Sequence, residues 1–530
     1  MNPSFSDAPR HADFLGHPKG LYICFFTEMW ERFSFYGMKA LLLLYLVKYH
    51  LFSDDNGYNL LGAYGGLVYA MPVIGGLVAD RWLGMRKAVV FGGILLVLGP
   101  PRHGLRGSPG GHGRWCHRAR RGRTAGVLFL AGPDHHGRGL PQAQHLHHRR
   151  QAVLHGMAEP PSPERLRERV AGMPREWAIY LATLLGLLPI AGLMWATGND
   201  AFTLSIGVDL TLAQLLMLAV LAVVLAWFTR FVLRDCTPRE RGQMLTLMAL
   251  IFIALLFYTL YEQTYGSWVV FTDRLLTKDF FPSLVLAEGL PFPYFVICTL
   301  LLPAAFMLAM RWQSRSPGSR LPTLVFLAAA AVTLLMVVGM VVLQPQTAGS
   351  LTFISGIFIL SFAPLFSWLW SWLDRRGRNP GKPLKSVLGL LFGALSFLPL
   401  YLAAHGAGDA GTFASVWWLV LAYAVLQVGE ICLYPVGLSA VTQLSVPRVA
   451  SLMMGTWFLA TAFSELLAAK LGTLASIEDP GAIAEHSSAW TSAATTYGDY
   501  FWSLALGGLA CTVLAALALP WLNRGMHGVK

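Results

Sequence analysis

Apolar runs separated by short polar or charged turns recur along the chain at about 21–49, 60–80, 177–197, 211–234, 243–271, 293–311, 321–343, 351–373, 385–404, 413–444, 450–471 and 497–522. Each is long enough to cross ~30 Å of hydrocarbon as a helix, so the pattern predicts twelve full spans. A thirteenth run begins at Ala88 and stops at Gly99, and twelve residues cannot span. The expected fold class is therefore an all-α, polytopic membrane protein.

Composition strengthens this reading. With 55% hydrophobic residues, 13% charged residues and a mean hydropathy of +0.53, a soluble enzyme is excluded. The formal net charge of +12 would suggest nucleic acid or anionic lipid, but residues 99–155 alone hold ten Arg, nine His and one acid, Asp134. Elsewhere the positive charge sits in short loops: Arg81, Arg86 and Lys87; Arg234, Arg239 and Arg241; Arg311, Arg315 and Arg320; Arg375, Arg376, Arg378, Lys382 and Lys385. Placing these clusters in the cytoplasm puts both termini there, provided residues 88–176 cross the bilayer an even number of times or not at all. Six cysteines lie singly, without the spacing of a zinc site or a disulfide framework.

Residues 99–176 break the pattern. Three accounts compete for the His/Arg-rich stretch: a metal-binding insert using His135, His136, His145, His147 and His148; a basic arm for nucleic acid or anionic lipid; and a reading-frame error. No acid or thiol accompanies the histidines in a recognised ligand spacing, and the arginines lack aromatic interleaving. Regrouping permitted codons by one base over residues 131–154, however, can yield an apolar span followed by FLKPN. The reading-frame account is the one adopted.

The first span, FFTEMWERFSFYGMKALLLLYLV, carries Glu28, Glu31, Arg32 and Lys39 inside an apolar helix, where each charge costs ~2.5–3.5 kcal/mol on an insertion scale. At helical spacing these four, with Phe35 and Tyr36, share one sector, so a polar stripe must face the bundle interior. A self-neutralising Glu28–Arg32 pair would explain part of it without any function. Further acids in apolar spans, Glu262, Glu430 and Glu465, argue instead for a proton or substrate path. Glu465 is read as an ion-pair partner for Lys470.

These segments resemble the proton-dependent oligopeptide transporters of the major facilitator superfamily. The first-helix signature ExxERFxYY is met by Glu28, Glu31, Arg32, Phe33 and Tyr36, with Phe35 where a tyrosine is usual. LVYAMPVIGGLVADRWLGMRKAV resembles the second helix through Tyr69, YEQTYGSW the seventh through Glu262, GEICLYPVGLS the tenth through Glu430 and Ser439, and MMGTWFLA the eleventh through Trp457. The resemblance implies helical bundles with the N-terminal one incomplete. Residues 1–99 would form that bundle, 100–176 an aberrant disordered segment, 177–242 a helical pair linking the halves, and 243–530 the C-terminal bundle with an additional pair at 293–343.

It further implies a proton-coupled symporter importing di- and tripeptides by alternating access in a bacterial inner membrane. Glu28, Glu31 and Arg32 would couple the proton. Arg32, Tyr36, Lys39, Tyr69, Tyr258, Glu430, Ser439 and Trp457 would bind substrate, and Lys39 and Glu262 would form a gating ion pair. No enzymatic activity, cofactor, metal or nucleic-acid partner is expected, since no nucleophile–base pair or HExxH motif is present. Two alternatives stay open: a transport-deficient remnant of such a transporter, and a carrier for nitrate or another anion on the same fold.

Overall fold

The structure, a computed structural model, describes residues 19–78, 87, 88, 90–92, 94, 169–170, 173–198, 202–205, 209–315 and 320–526, with the backbone alone for 19–30, 73, 74, 76–78, 169, 170, 175, 314, 315, 451, 484 and 485. The anomalous His/Arg-rich segment and its competing accounts lie outside the described residues. Ten described helices are long and apolar enough to cross a membrane, and the chain is a multi-pass membrane protein. Two further helices cover the first two expected spans: α1 (Lys19–Leu44), prolonged by a π-helical turn over Tyr45–Tyr49, and α2 (Asp54–Val78).

The described residues form two compact units, one holding residues up to Met38 and Lys278–Thr347, the other Lys39 to Thr277 and Ala348 onward. In the first, α3 (Phe292–Arg315) pairs with α4 (Leu321–Leu343) as a hairpin. Phe306 and Ala309 form its small core, packed by Met310 and Phe326. The loop ends are tied by polar bonds: the Leu290 amide donates to Gln344 Oε1 at 2.6 Å and the Gln346 amide to Asp279 Oδ1 at 2.9 Å. Pro322 is the one buried residue of α4, whose other side chains are half-buried or exposed.

In the second unit, α5 (Pro238–Tyr261) starts with a capping box in which Thr237 and Glu240 satisfy each other's backbone amides, Pro238 following the cap. The sequence predicts one unbroken span here. Instead the helix stops, a 3-10 turn covers Glu262–Thr264, and α6 (Ser267–Leu275) resumes after Gly266. Similarly the expected span 385–404 is split into α7 (Lys382–Leu395) and α8 (Leu398–Ala410), with Pro399 opening the second piece. Trp268 of α6 packs edge-on against Phe397 and Tyr423, and Phe271 against Phe501, which gives the unit an aromatic core.

Packing is close where α2 runs along α9 (Ala450–Gly472). A β-carbon at Gly62 would stand 2.3 Å from the Ala469 side chain, and one at Gly65 2.3 Å from a Glu465 carboxylate oxygen. In lipid, where apolar side chains gain little by leaving the solvent, such close backbone approach is what holds helices together. Gly62→Val should therefore destabilise the purified protein by about 1–3 kcal/mol through overpacking. Gly406→Ala, which meets nothing within 4 Å, should not. Thermal unfolding of the two variants in one detergent gives the comparison, and equal midpoints would contradict the packing argument.

Candidate functional site

On α1, the spacing of four residues brings Arg32 Nη1 within 3.0 Å of the Tyr36 hydroxyl, to which it donates. Arg32 Nε lies 3.8 Å from Glu31 Oε2, and Phe35 meets the Tyr36 ring edge-on. The Glu28 side chain lies outside those described, so the Glu28–Arg32 pairing is not addressed. Arg32 thus has Glu31 and Tyr36 as neighbours in a half-exposed patch.

Seven residues beyond Arg32, Lys39 is 1% exposed and its ammonium donates to two carboxylates at once. Lys39 Nζ stands 2.5 Å from Glu262 Oε2 and 2.5 Å from Glu465 Oε1. The structure brings Lys39 and Glu262 together as the sequence leads one to expect. It places Glu465 elsewhere than expected: Lys470 donates to the Asp209 carbonyl at 2.8 Å, while Glu465 shares Lys39. Five positions along a helix turn a side chain ~140° away, and so the local pairing had no geometry to support it. The ammonium also lies 4.7 Å from the Tyr265 ring centroid, a cation–π contact.

The interruption between α5 and α6 presents Glu262 to this cluster. Its backbone is stitched by Tyr265 N–H to Glu262 O (3.2 Å) and Gly266 N–H to Gln263 O (3.1 Å). Gln263 holds the turn from the side. Its Nε2 donates to the Ala468 carbonyl at 2.8 Å, and its Oε1 accepts from Ser267 and Tyr500 hydroxyls, each at 2.8 Å. Irregular backbone at membrane depth persists where it is buried in protein, and Glu262, Gln263 and Thr264 are all buried.

Tyr258, one turn before Glu262, is buried and lies within electrostatic range of Glu430, Tyr434 and Tyr69. Tyr69 packs with Leu459, Ala462 and Phe463 of α9. Trp457 is buried, its ring against Gly437 of α10 (Trp417–Leu444). Ser439 stands apart: nine residues beyond Glu430, about 13.5 Å along the helix, it accepts a hydrogen bond from Gln443 at 3.2 Å. Gln443 in turn accepts from Lys382, so Ser439 belongs to a polar network at the α7 end.

Sequence reasoning passed over a second ion pair. Arg274 Nη1 and Nη2 each stand 2.7 Å from an Asp54 oxygen, with Arg274 also donating to Tyr497 at 2.9 Å and the Ile477 amide to Asp54 at 3.1 Å. This bidentate pair joins the start of α2 to the end of α6. Charges at span ends resemble ordinary interfacial flanks, and nothing in their spacing singles these two out.

Residues 322–483 match the POT family profile. The chain is 26% identical over 514 residues to dipeptide and tripeptide permease A of Cronobacter turicensis, covering 96% of this chain and 93% of that one. It is 27% identical over 508 residues to the peptide transporter YePEPT of Yersinia enterocolitica, covering 88% and 90%. Among solved structures, it is similar to a peptide transporter POT in complex with sulfate, with a TM-score of 0.61, 22% identity and 98% coverage of both chains. The structural likeness bears on the fold alone.

Proposed function

We propose, from the match of residues 322–483 to the POT family profile and the likeness to peptide permeases, that the chain is a symporter importing di- and tripeptides together with protons by alternating access. The observation that carries this reading is the buried Lys39 held between Glu262 and Glu465: ionisable groups at membrane depth are costly and mark ion paths. The proposed setting is a bacterial inner membrane with both termini in the cytoplasm, as the Lys/Arg loops argue.

In this reading Glu28 or Glu31 takes a proton and thereby frees Arg32 for a peptide carboxylate. Glu430 takes the peptide amine, and Tyr36, Tyr69, Tyr258, Trp457 and Ser439 shape the side-chain pockets. Lys39 and Glu262 form and break their ion pair as the gate moves. A cation for the carboxylate and an anion for the amine match the two ends of a zwitterionic peptide and orient it.

One inward proton contributes ~2.3 kcal/mol per 100 mV, about a fifty-fold accumulation of peptide. In proteoliposomes with an inward proton gradient, the chain should concentrate a labelled dipeptide. Glu31→Gln should reduce that accumulation to the level seen without a gradient. Equal accumulation by both proteins would remove Glu31 from the coupling, and no gradient-dependent uptake by either would end the symport reading.

A further inference from the structure

Two carboxylates share one ammonium here, so with every group ionised the cluster would carry a net negative charge deep in the membrane region. Lys39, Glu262 and Glu465 are 1%, 6% and 3% exposed. Taking an uncompensated charge out of water costs several kcal/mol, and a single proton on either carboxyl removes it. Glu465 is built into this position, because its carboxylate fills the space that the missing side chain of Gly65 leaves on α2.

We propose that Glu465 is a proton-binding group of the transport cycle, sharing one proton with Glu262 while Lys39 bridges them. This rests on the symport reading and adds to it a residue outside the motifs that carry the family resemblance. The step balances simply: a carboxylate accepts a proton and becomes a neutral carboxyl, while Lys39 remains an ammonium. When Lys39 withdraws, both carboxyls need a proton. When it returns, one proton must leave, so occupancy is tied to the gate.

The groups around Glu465 offer no other counter-charge among the described residues. Lys39 comes from α1 and Glu262 with Tyr265 from the interruption after α5; α2 contributes the neutral Tyr58 phenol, and Tyr500 is engaged by Gln263. On its own helix, Lys470 faces the Asp209 carbonyl. A cavity of 10 Å³ bordered by Tyr58, Gly62, Glu262 and Glu465 has room for a single water to carry the proton in or out.

The direct test is infrared difference spectroscopy of the purified full chain in lipid, between acid and alkaline media. The wild type should show a protonated-carboxyl band that Glu465→Gln and Glu262→Gln each abolish, since either leaves a balanced ion pair. Glu465→Asp should keep the band with a displaced midpoint, and it serves if Glu465→Gln does not fold. Superimposable spectra of the wild type and the Glu465 variants overturn the proposal. In proteoliposomes, the ratio of gradient-driven accumulation to peptide-for-peptide exchange should fall in Glu465→Gln by up to about fifty-fold at 100 mV. An unchanged ratio likewise overturns it. If the band behaves as expected while the wild type accumulates no peptide, the symport reading fails and the proton site stands.

Discussion

Lys39→Ala is expected to destabilise the purified protein by about 3–5 kcal/mol, the usual consequence of removing one partner from a buried ion pair. The variant loses more than two hydrogen bonds. It leaves Glu262 and Glu465 facing each other in a site without water enough to screen them, where the repulsion of like charges adds to their desolvation. Acidification should relieve the defect, because a second proton, leaving both carboxyls neutral, takes the place of the missing ammonium; the difference from wild type should be largest in alkaline medium and shrink as pH falls. Lys39→Ala combined with Glu465→Gln should be less destabilised than Lys39→Ala alone, since the second change removes one of the stranded charges. Thermal unfolding followed by tryptophan fluorescence at several pH values decides the matter. A loss that does not vary with pH, or two changes whose effects simply add, would show that the three residues are not one electrostatic unit.

Asp54→Ala should bring a loss of the same order, about 3–5 kcal/mol, at the buried Asp54–Arg274 pair. Arg274 is fixed by a two-pronged bond to Asp54, with side chains 8% and 1% exposed, and the same carboxylate accepts the Ile477 amide. Removing it strands a guanidinium and a backbone donor together, whereas the paired geometry satisfies both. The neighbouring Asp55 is exposed and bonds only Ser476 among the described contacts, so Asp55→Ala should change stability by less than about 1 kcal/mol. The contrast between adjacent acids is the readout. Equal effects would mean that burial of the Asp54–Arg274 bond contributes nothing of its own.

Much of the fold is legible in the linear pattern, because lipid imposes a length and a polarity on each crossing that few other environments do. The runs at 212–234, 321–343 and 450–472 are found within a residue or two of their expected limits. Interruptions within a run are less visible. EQTYG reads as part of an apolar helix, and its departure from helical geometry depends on what Gln263 finds on α9 and on Tyr500, contacts more than two hundred residues away. The site follows the same rule. Lys39 and Glu262 stand out because charge in an apolar run is conspicuous, but the partner of Glu465 is set by the approach of α2 and α9, which a local spacing rule does not contain. Asp54 and Arg274 went unnoticed because their charges sit where charges are expected.

The turn at Glu262–Gly266 gives the long element from Pro238 to Leu275 a joint at its midpoint rather than the stiffness of a continuous rod. Bending there sacrifices little of the backbone ladder, since the helical bonding has already been surrendered. The joint also sets Glu262 at the carboxyl-terminal tip of α5, where the residual negative dipole of the helix adds to the pull on Lys39. The core packing of Trp268 and Phe271 and the Arg274–Asp54 bond hold Ser267–Leu275 in place, so the position of Glu262 is set from both sides of the joint.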